Sequence, residues 1–258
     1  MQARFNPEYS YLEKTLSNWV KNFDSKGEEL GKQSRNTIKV FKTEKISLNI
    51  KSFKVPNFIN QVVYRFFRKS KAERSFVHAN FLTEKGIGTP KPIAFFEFPT
   101  TILFKRSFYV CEQLEAELTY RELVRNANYP DRQRILEQFS KFTFKLHENG
   151  ILFKDHSPGN TLIKKNGGDY DFYLVDLNRM DFKTLSFEER IKNFARLTPH
   201  QDMVAIMSKA YAEVSAWKYD EIFSLMWHET EKFQGRFHRK KRMKEQVFFL
   251  AKLMSIFP

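Results

Sequence analysis

The segment Lys154-Asp155-His156-Ser157-Pro158-Gly159-Asn160 constrains this chain more than any other. An Asp and an Asn stand five positions apart around a Pro-Gly turn. The strand-like runs Ile151-Leu152-Phe153 and Thr161-Leu162-Ile163 flank them. A second acid, Asp176, follows the apolar run Phe172 to Val175, and Asn166-Gly167-Gly168 between the runs reads as a hairpin turn. Alone, Asp155 is a solvated loop residue or a turn cap. With Asn160 and Asp176 at these spacings, the set matches what phosphoryl transfer requires. One carboxylate orients a hydroxyl and takes its proton, while an amide and a second carboxylate hold magnesium on a nucleotide.

The pattern upstream is mostly strand. Tyr11, Leu12, Leu16, Trp19, Val20 and Phe23 recur at helical spacing and predict an N-terminal helix, with a run into a first strand as the alternative. Gly27 and Gly31 with Lys32 form a glycine-bearing loop, although a full three-glycine phosphate motif is absent. Thr37–Phe41 and Lys45–Lys51 alternate at period two, as a hairpin does. Lys69–Lys85 reads as a helix closed by Gly86, and Ile93–Phe98 and Thr101–Leu114 as two more strands. Helical signals dominate after that. Pro130-Asp131 opens a helix with the stripe Ile135, Phe139, Phe142 and Leu146, which reads as core. The capping box Ser186-Phe187-Glu188-Glu189 opens another. A last helix, Arg239–Phe257, carries Met243, Val247, Leu250 and Met254 on one side. The expected organisation is α+β and bilobal: a small antiparallel-sheet lobe with one helix over residues 1–114, and a helical lobe over 115–258. The catalytic hairpin is expected at the base of the cleft between them.

Charge and cysteine content narrow the setting. With 44 Lys and Arg against 30 Asp and Glu, the formal net charge is +14, which favours anionic partners. The single Cys111 excludes an internal disulfide, and the six His show no metal-ligand spacing. No apolar run approaches the length of a membrane span, and Met1–Pro7 lacks the pattern of a secretory signal, so a cytoplasmic location is expected. The basic run Arg236–Lys244 suits a membrane surface or a nucleic acid.

The stretch from Leu146 to Asn160 resembles a catalytic loop of the protein-kinase-like fold, and Leu174-Val175-Asp176-Leu177-Asn178-Arg179 resembles its metal-binding segment. Within that superfamily the chain resembles the lipopolysaccharide kinase family, which phosphorylates Kdo or heptose sugars of the inner core. Arg35–Lys39, Lys51–Lys54, Arg68–Arg74 and Gly86–Ile93 contribute to the match, which runs roughly from Phe23 to Phe182. The resemblance implies an ATP- and magnesium-dependent phosphotransferase. Asp155 would be the catalytic base, with Asn160 and Asp176 as magnesium ligands. Lys51 would grip the α- and β-phosphates, with Lys54 as its rival. The acid paired with that lysine would be Glu73, unless the family position falls on Ser75. Gly27 and Gly31 would cover the phosphates, and Glu112 to Leu114 would offer backbone groups to adenine.

Three departures separate the chain from common protein kinases. Phe153 and Lys154 replace the usual His or Tyr and Arg before the base. Leu177-Asn178-Arg179 replaces Phe-Gly after the metal-binding Asp. Only Met180–Leu185 separate that segment from the next helix, which leaves no room for a regulated activation loop. The expected protein is therefore a monomeric sugar kinase, peripheral at the anionic cytoplasmic face of the inner membrane, with no nucleic-acid partner. An atypical protein kinase and an aminoglycoside-type phosphotransferase are the alternatives.

Overall fold

A computed structural model describes residues 1–31 and 36–254, with side chains omitted for 247–254. The chain divides into two compact units. The first comprises Met1–Glu117 with Leu162–Lys165 and Asp171–Met180, and the second comprises the remainder.

The first unit is built on a six-stranded antiparallel sheet. Strand β1 (Gln2–Phe5) leads through a short 3₁₀ turn to helix α1 (Glu13–Lys21). Then come β2 (Glu28–Glu29), β3 (Asn36–Lys42) and β4 (Ser47–Phe53), followed by α2 (Phe58–Phe66), α3 (Lys71–Glu84), β5 (Pro92–Pro99) and β6 (Phe104–Glu112). The spatial order is β1-β5-β6-β4-β3-β2. Period-two alternation sends Leu48 and Ile50 of β4 into one apolar layer, where they meet Leu16, Val20 and Phe23 of the α1 segment and Phe96, Phe108 and Val110. Helix α3 buries Ala72, Phe76, Ala79 and Leu82, and the Phe76 ring lies 5.4 Å from that of Phe95. Ser70 caps α3 by accepting the Glu73 N–H. Lys39 is buried, and its ammonium donates to the carbonyls of Phe23, Asp24 and Lys26, which satisfies the chain beyond α1.

Downstream, β7 (Leu118–Thr119) precedes α4 (Tyr120–Arg125), whose start is a Thr119–Glu122 capping box. Helix α5 (Arg132–Glu148) runs into β8 (Ile151–Phe153). The hairpin β9 (Thr161–Asn166) and β10 (Asp169–Leu174) follows, then β11 (Met180–Phe182), α6 (Phe187–Lys192), α7 (Gln201–Val214) and α8 (Tyr219–Met254). In the second unit, α5 buries Ile135, Leu136, Phe139, Ser140, Thr143, Leu146 and His147. Gly150 sits at φ +68°, and a Cβ there would stand 2.9 Å from the Lys183 carbonyl. That glycine lets β8 approach β11, with Lys183 N–H donating to the Gly150 carbonyl at 2.8 Å.

The α+β character, the antiparallel sheet and the helical second half match the sequence reading. Several elements differ in detail. Helix α2 and strand β1 were not anticipated, so the sheet-bearing unit holds α1, α2 and α3 rather than one helix. The last helix is a single element from Tyr219 onward rather than from Arg239. Lys32 and Arg35, and the side chains of Val247, Leu250 and Met254, lie outside the described residues, and Met243 is exposed.

Two buried histidines couple the second unit to pH. Burial pushes His147 down to about 3 and His156 down to about 4, so both are neutral in the folded chain near neutrality. Unfolded, each takes up a proton near pH 6.5. Below that value the unfolded state binds more protons, so stability falls as the pH falls. The slope approaches about 1.4 kcal/mol per pH unit for each histidine until the folded value is reached. Denaturant midpoints between pH 7 and pH 5 should therefore drop less steeply for His156→Leu than for the native chain. Parallel profiles would remove His156 from this role.

Candidate active site

In the first unit, alternation along β4 turns Lys51 away from Leu48 and Ile50. Its ammonium lies 5.3 Å from the Phe53 ring centroid and 2.7 Å from Asp176 Oδ1. The pair is largely shielded, with side-chain exposures of 12% and 31%. Lys54 lies beyond the end of β4 and is exposed.

Asp176 reaches this lysine because β10 is anchored to the segment after α3. The Leu174 N–H donates to the Gly88 carbonyl at 2.9 Å, and the Thr89 hydroxyl donates to the Leu174 carbonyl at 2.9 Å. A Cβ on Gly88 would collide with the Phe172 carbonyl oxygen, so only glycine permits this approach. Asp176 itself has φ +59°, a left-handed conformation that an Asp tolerates better than most residues. Asn178 Nδ2 donates to Asp176 Oδ1 at 2.7 Å. His78 of α3 meets the Leu177 carbonyl through Nδ1 at 2.7 Å, and a carbonyl partner makes that nitrogen the donor. Asp176 is thus held in a left-handed conformation by Lys51, by Asn178 and by the His78 contact to the next residue.

The other expected groups of this unit fall as follows. Glu73 faces Lys69, Nζ to Oε1 3.4 Å, and among the described residues the carboxylate paired with Lys51 is that of Asp176. Ser75 is buried, and its hydroxyl donates to the Lys71 carbonyl at 2.9 Å. Gly27 has φ +81°, and a Cβ there would stand 2.5 Å from the Phe41 ring; Gly31 has φ +72° and open space around it. Glu112 accepts from the Tyr9 hydroxyl at 2.6 Å, and Leu114 accepts from Gln113 Nε2 at 3.2 Å. Burial, and then the Glu112 contact, raise the Tyr9 phenol above its ordinary value. Burial also pushes the Cys111 thiol up to about 12, so it is an inert core residue.

In the second unit, Asp155 follows β8, and Arg196 fixes it. The Arg196 Nη1 donates to the Lys154 carbonyl at 2.9 Å and to Asp155 Oδ1 at 3.0 Å. Asn160 Nδ2 donates to the Asp155 carbonyl at 2.8 Å, which closes the loop on itself. Lys154 pairs with Asp181, Nζ to Oδ2 2.5 Å. The Arg121 guanidinium lies against Gly159, where a Cβ would meet it.

Beneath the loop runs a buried polar chain. Asn193 Nδ2 donates to the Phe153 carbonyl at 2.8 Å, and its Oδ1 lies 3.2 Å from His147 Nε2. His147 Nδ1 lies 2.9 Å from the Tyr211 hydroxyl. Asn193 uses its oxygen here, so His147 carries its proton on Nε2 and accepts from Tyr211. His156 packs among the rings of Phe139, Phe153 and Phe194 at centroid distances of 5.4 to 6.3 Å.

The sequence reading did not single out Arg196, Asn193, Tyr211 or His78. Each is a polar residue at an ordinary position in its helix or turn, and no local pattern marks it. Only Gly88, one residue before Thr89-Pro90, carried a hint.

Solved structures resemble the fold, two of them as follows. One, described as WaaP in complex with acyl carrier protein, aligns with a TM-score of 0.62 over 90% of this chain and 99% of that one, at 14% identity. The other, a crystal structure of WbdD, aligns at a TM-score of 0.49 and 16% identity over 79% of this chain and 45% of that one. At 14% identity the first likeness shows the fold, which is protein-kinase-like. No curated protein matches the chain by sequence. The model of the lipopolysaccharide kinase (Kdo/WaaP) family matches residues 42–217, a span that contains Lys51, Asp155, Asn160 and Asp176, and the chain belongs to that family of kinases.

Proposed function

We propose that this kinase transfers the γ-phosphoryl group of ATP to a hydroxyl of an inner-core sugar of lipopolysaccharide, Kdo or heptose. The observation that carries the reading is the pair of braced carboxylates. Asp176 sits on Lys51 in one unit, and Asp155 is held by Arg196 and Asn160 in the other. Asp155 is the group that orients the acceptor hydroxyl and takes its proton. Lys51 is the cation for the α- and β-phosphates. Glu73 on α3 is the acid assigned to support that lysine. Gly27 and Gly31 are assigned to the phosphate-covering loop, and the backbone from Glu112 to Leu114 to adenine. Residues 1–114 would thus hold the nucleotide and 115–258 the acceptor.

The donor set suits magnesium. Asp176 offers a carboxylate and Asn160 an amide oxygen, both hard donors, and magnesium takes one or two protein ligands and completes its shell with phosphate and water. Among the described residues no cluster of three His, Cys, Asp or Glu competes for a metal. When bound, the ion neutralises charge on the transferring phosphate. The chain's own contribution is to fix Asp155, to hold the phosphates through Lys51, and to keep the two acids on separate supports.

The +14 charge suits an anionic acceptor and the anionic inner-membrane surface, to which the exposed run Arg236–Lys244 adds six basic residues. Among the described residues no helix is long and apolar enough to cross a membrane.

Turnover of Asp155→Asn should fall about 10²- to 10⁴-fold with ATP binding retained. Near-normal turnover, measured as phosphate transfer to purified core oligosaccharide, would remove Asp155 from the base role. Lys51→Met and Asp176→Ala should each weaken magnesium-ATP binding in calorimetry, whereas Lys54→Met should leave it near the native value, since Lys54 stands outside β4 and away from Asp176. A stronger effect at Lys54 would transfer the phosphate role to it. Activity should also be indifferent to phosphatase treatment. Asp181 already supplies Lys154 with the negative charge that a phosphorylated loop brings to other kinases. An enzyme silenced by phosphatase would contradict that assignment.

A further inference from the structure

Helix α2 packs with the wrong side out. Its N-terminus is capped by Asn57, whose side chain accepts the Asn60 N–H at 3.0 Å. Phe58, Ile59, Val62 and Phe66 share one face at the spacing of a helical stripe. A stripe of this kind normally meets the core. Here none of the nine residues is buried. The helix touches its unit through Tyr64 and Arg65, with Val62 and Val63 half-buried beside them. The Tyr64 ring lies 5.9 Å from Phe104, Arg65 Nε donates to the Thr100 carbonyl at 3.0 Å, and Gln61 Nε2 donates to the Pro56 carbonyl at 3.0 Å. Phe58, Ile59, Phe66 and Phe67 are left 55% to 83% exposed, and Ile102, in the turn that Arg65 holds, is 62% exposed. Water is a poor partner for so much clustered apolar surface.

The charge along this stretch of chain has one sign. From Lys45 to Ala72 the chain has no Asp or Glu, while it has Lys45, Lys51, Lys54, Arg65, Arg68, Lys69 and Lys71. Lys54, Arg68 and Lys69 are exposed, and Arg65, Arg68 and Lys69 line a surface groove of about 320 Å³ beside the helix. The same groove is also lined by two acids, Glu73, which faces Lys69, and Glu97, whose carboxyl burial raises above its usual range. A short helix with exposed aromatic residues and a basic rim is the pattern of an element that lies in the headgroup layer of a membrane, its apolar side sunk toward the acyl chains.

We propose that α2 and the following Phe67-Arg68-Lys69 insert into an anionic phospholipid bilayer. Phe58, Ile59, Phe66 and Phe67 enter the interface while Lys54, Arg68 and Lys69 meet lipid phosphates. The proposal deepens the membrane-surface reading above by assigning the element that enters the bilayer. It is independent of the kinase chemistry. Arg236–Lys244 would add attraction at longer range without entering the acyl region, since that run carries six basic residues around one phenylalanine.

The test needs neither nucleotide nor sugar, so its failure would leave the kinase assignment standing. Vesicles of phosphatidylethanolamine with phosphatidylglycerol, and vesicles of phosphatidylcholine alone, are titrated with the full chain and with Phe58→Ser/Phe67→Ser. Both positions are exposed, so thermal midpoints should match. Partition onto the anionic vesicles should fall at least tenfold in the variant, since burying one phenylalanine is worth roughly that factor. In a second variant, Phe67→Trp, the indole emission should shift blue on anionic vesicles and be quenched by brominated acyl chains. It should do so even when Lys240, Lys241 and Arg242 are changed to Gln. Equal partition of Phe58→Ser/Phe67→Ser and the native chain, or an indole insensitive to brominated lipid, would overturn the proposal. So would a dimer, or a complex with an acidic protein, that Phe67→Ser dissolves while vesicle binding stays unchanged.

Discussion

The contact on which the sheet-bearing unit depends is the ion pair between Lys51 and Asp176. The two residues lie far apart in sequence and meet only because Leu174 is hydrogen-bonded to Gly88 and Thr89. A shielded ammonium without a counter-ion is costly, and so is a shielded carboxylate. Each therefore holds the other in position. Bracing by Asn178 and His78 keeps Asp176 in its left-handed conformation, which a free chain would leave.

The helical half uses a different device. Its loop is held by neutral polar groups: Tyr211, His147 and Asn193 form a buried chain that ends on the Phe153 carbonyl. Burial keeps His147 unprotonated, which is what lets it donate through Nε2 and accept through Nδ1 at once. A protonated ring would lose the bond from Tyr211 and place a charge in the core. Charge flanks this arrangement at both ends: Arg190, paired with Glu148, bonds to Tyr211, and Arg196 meets Asp155 while Lys154 meets Asp181. The loop that carries Asp155 thus rests on a histidine that does not itself titrate near neutrality.

Control of such an enzyme would not follow the protein-kinase route. The link from β11 to α6 is short and tied down by the Lys183–Gly150 bond, and the lysine before the base already has its acid. Location is the remaining lever. An acceptor anchored in a bilayer is met most often by an enzyme that dwells there, and the outward apolar face of α2 supports that arrangement.

The α+β class, the alternating strands, the hairpin turn and the pair Asp155 and Asn160 were legible in the chain itself. Strand period, turn residues and short loop spacings are local, and local patterns survive without knowledge of the fold. Asp176 was legible for the same reason, as an acid closing an apolar run. The partner of Lys51, the hold of Arg196 on Asp155 and the His147 network were not. They join residues dozens of positions apart, and no local period records such a meeting. Helix α2 shows the limit most plainly. Its apolar stripe could be read from the sequence as easily as that of α5, but a stripe alone indicates core. Only the tertiary structure decided which side faces the unit, because Tyr64 and Arg65 find partners at Phe104 and Thr100 and leave the phenylalanines to the outside.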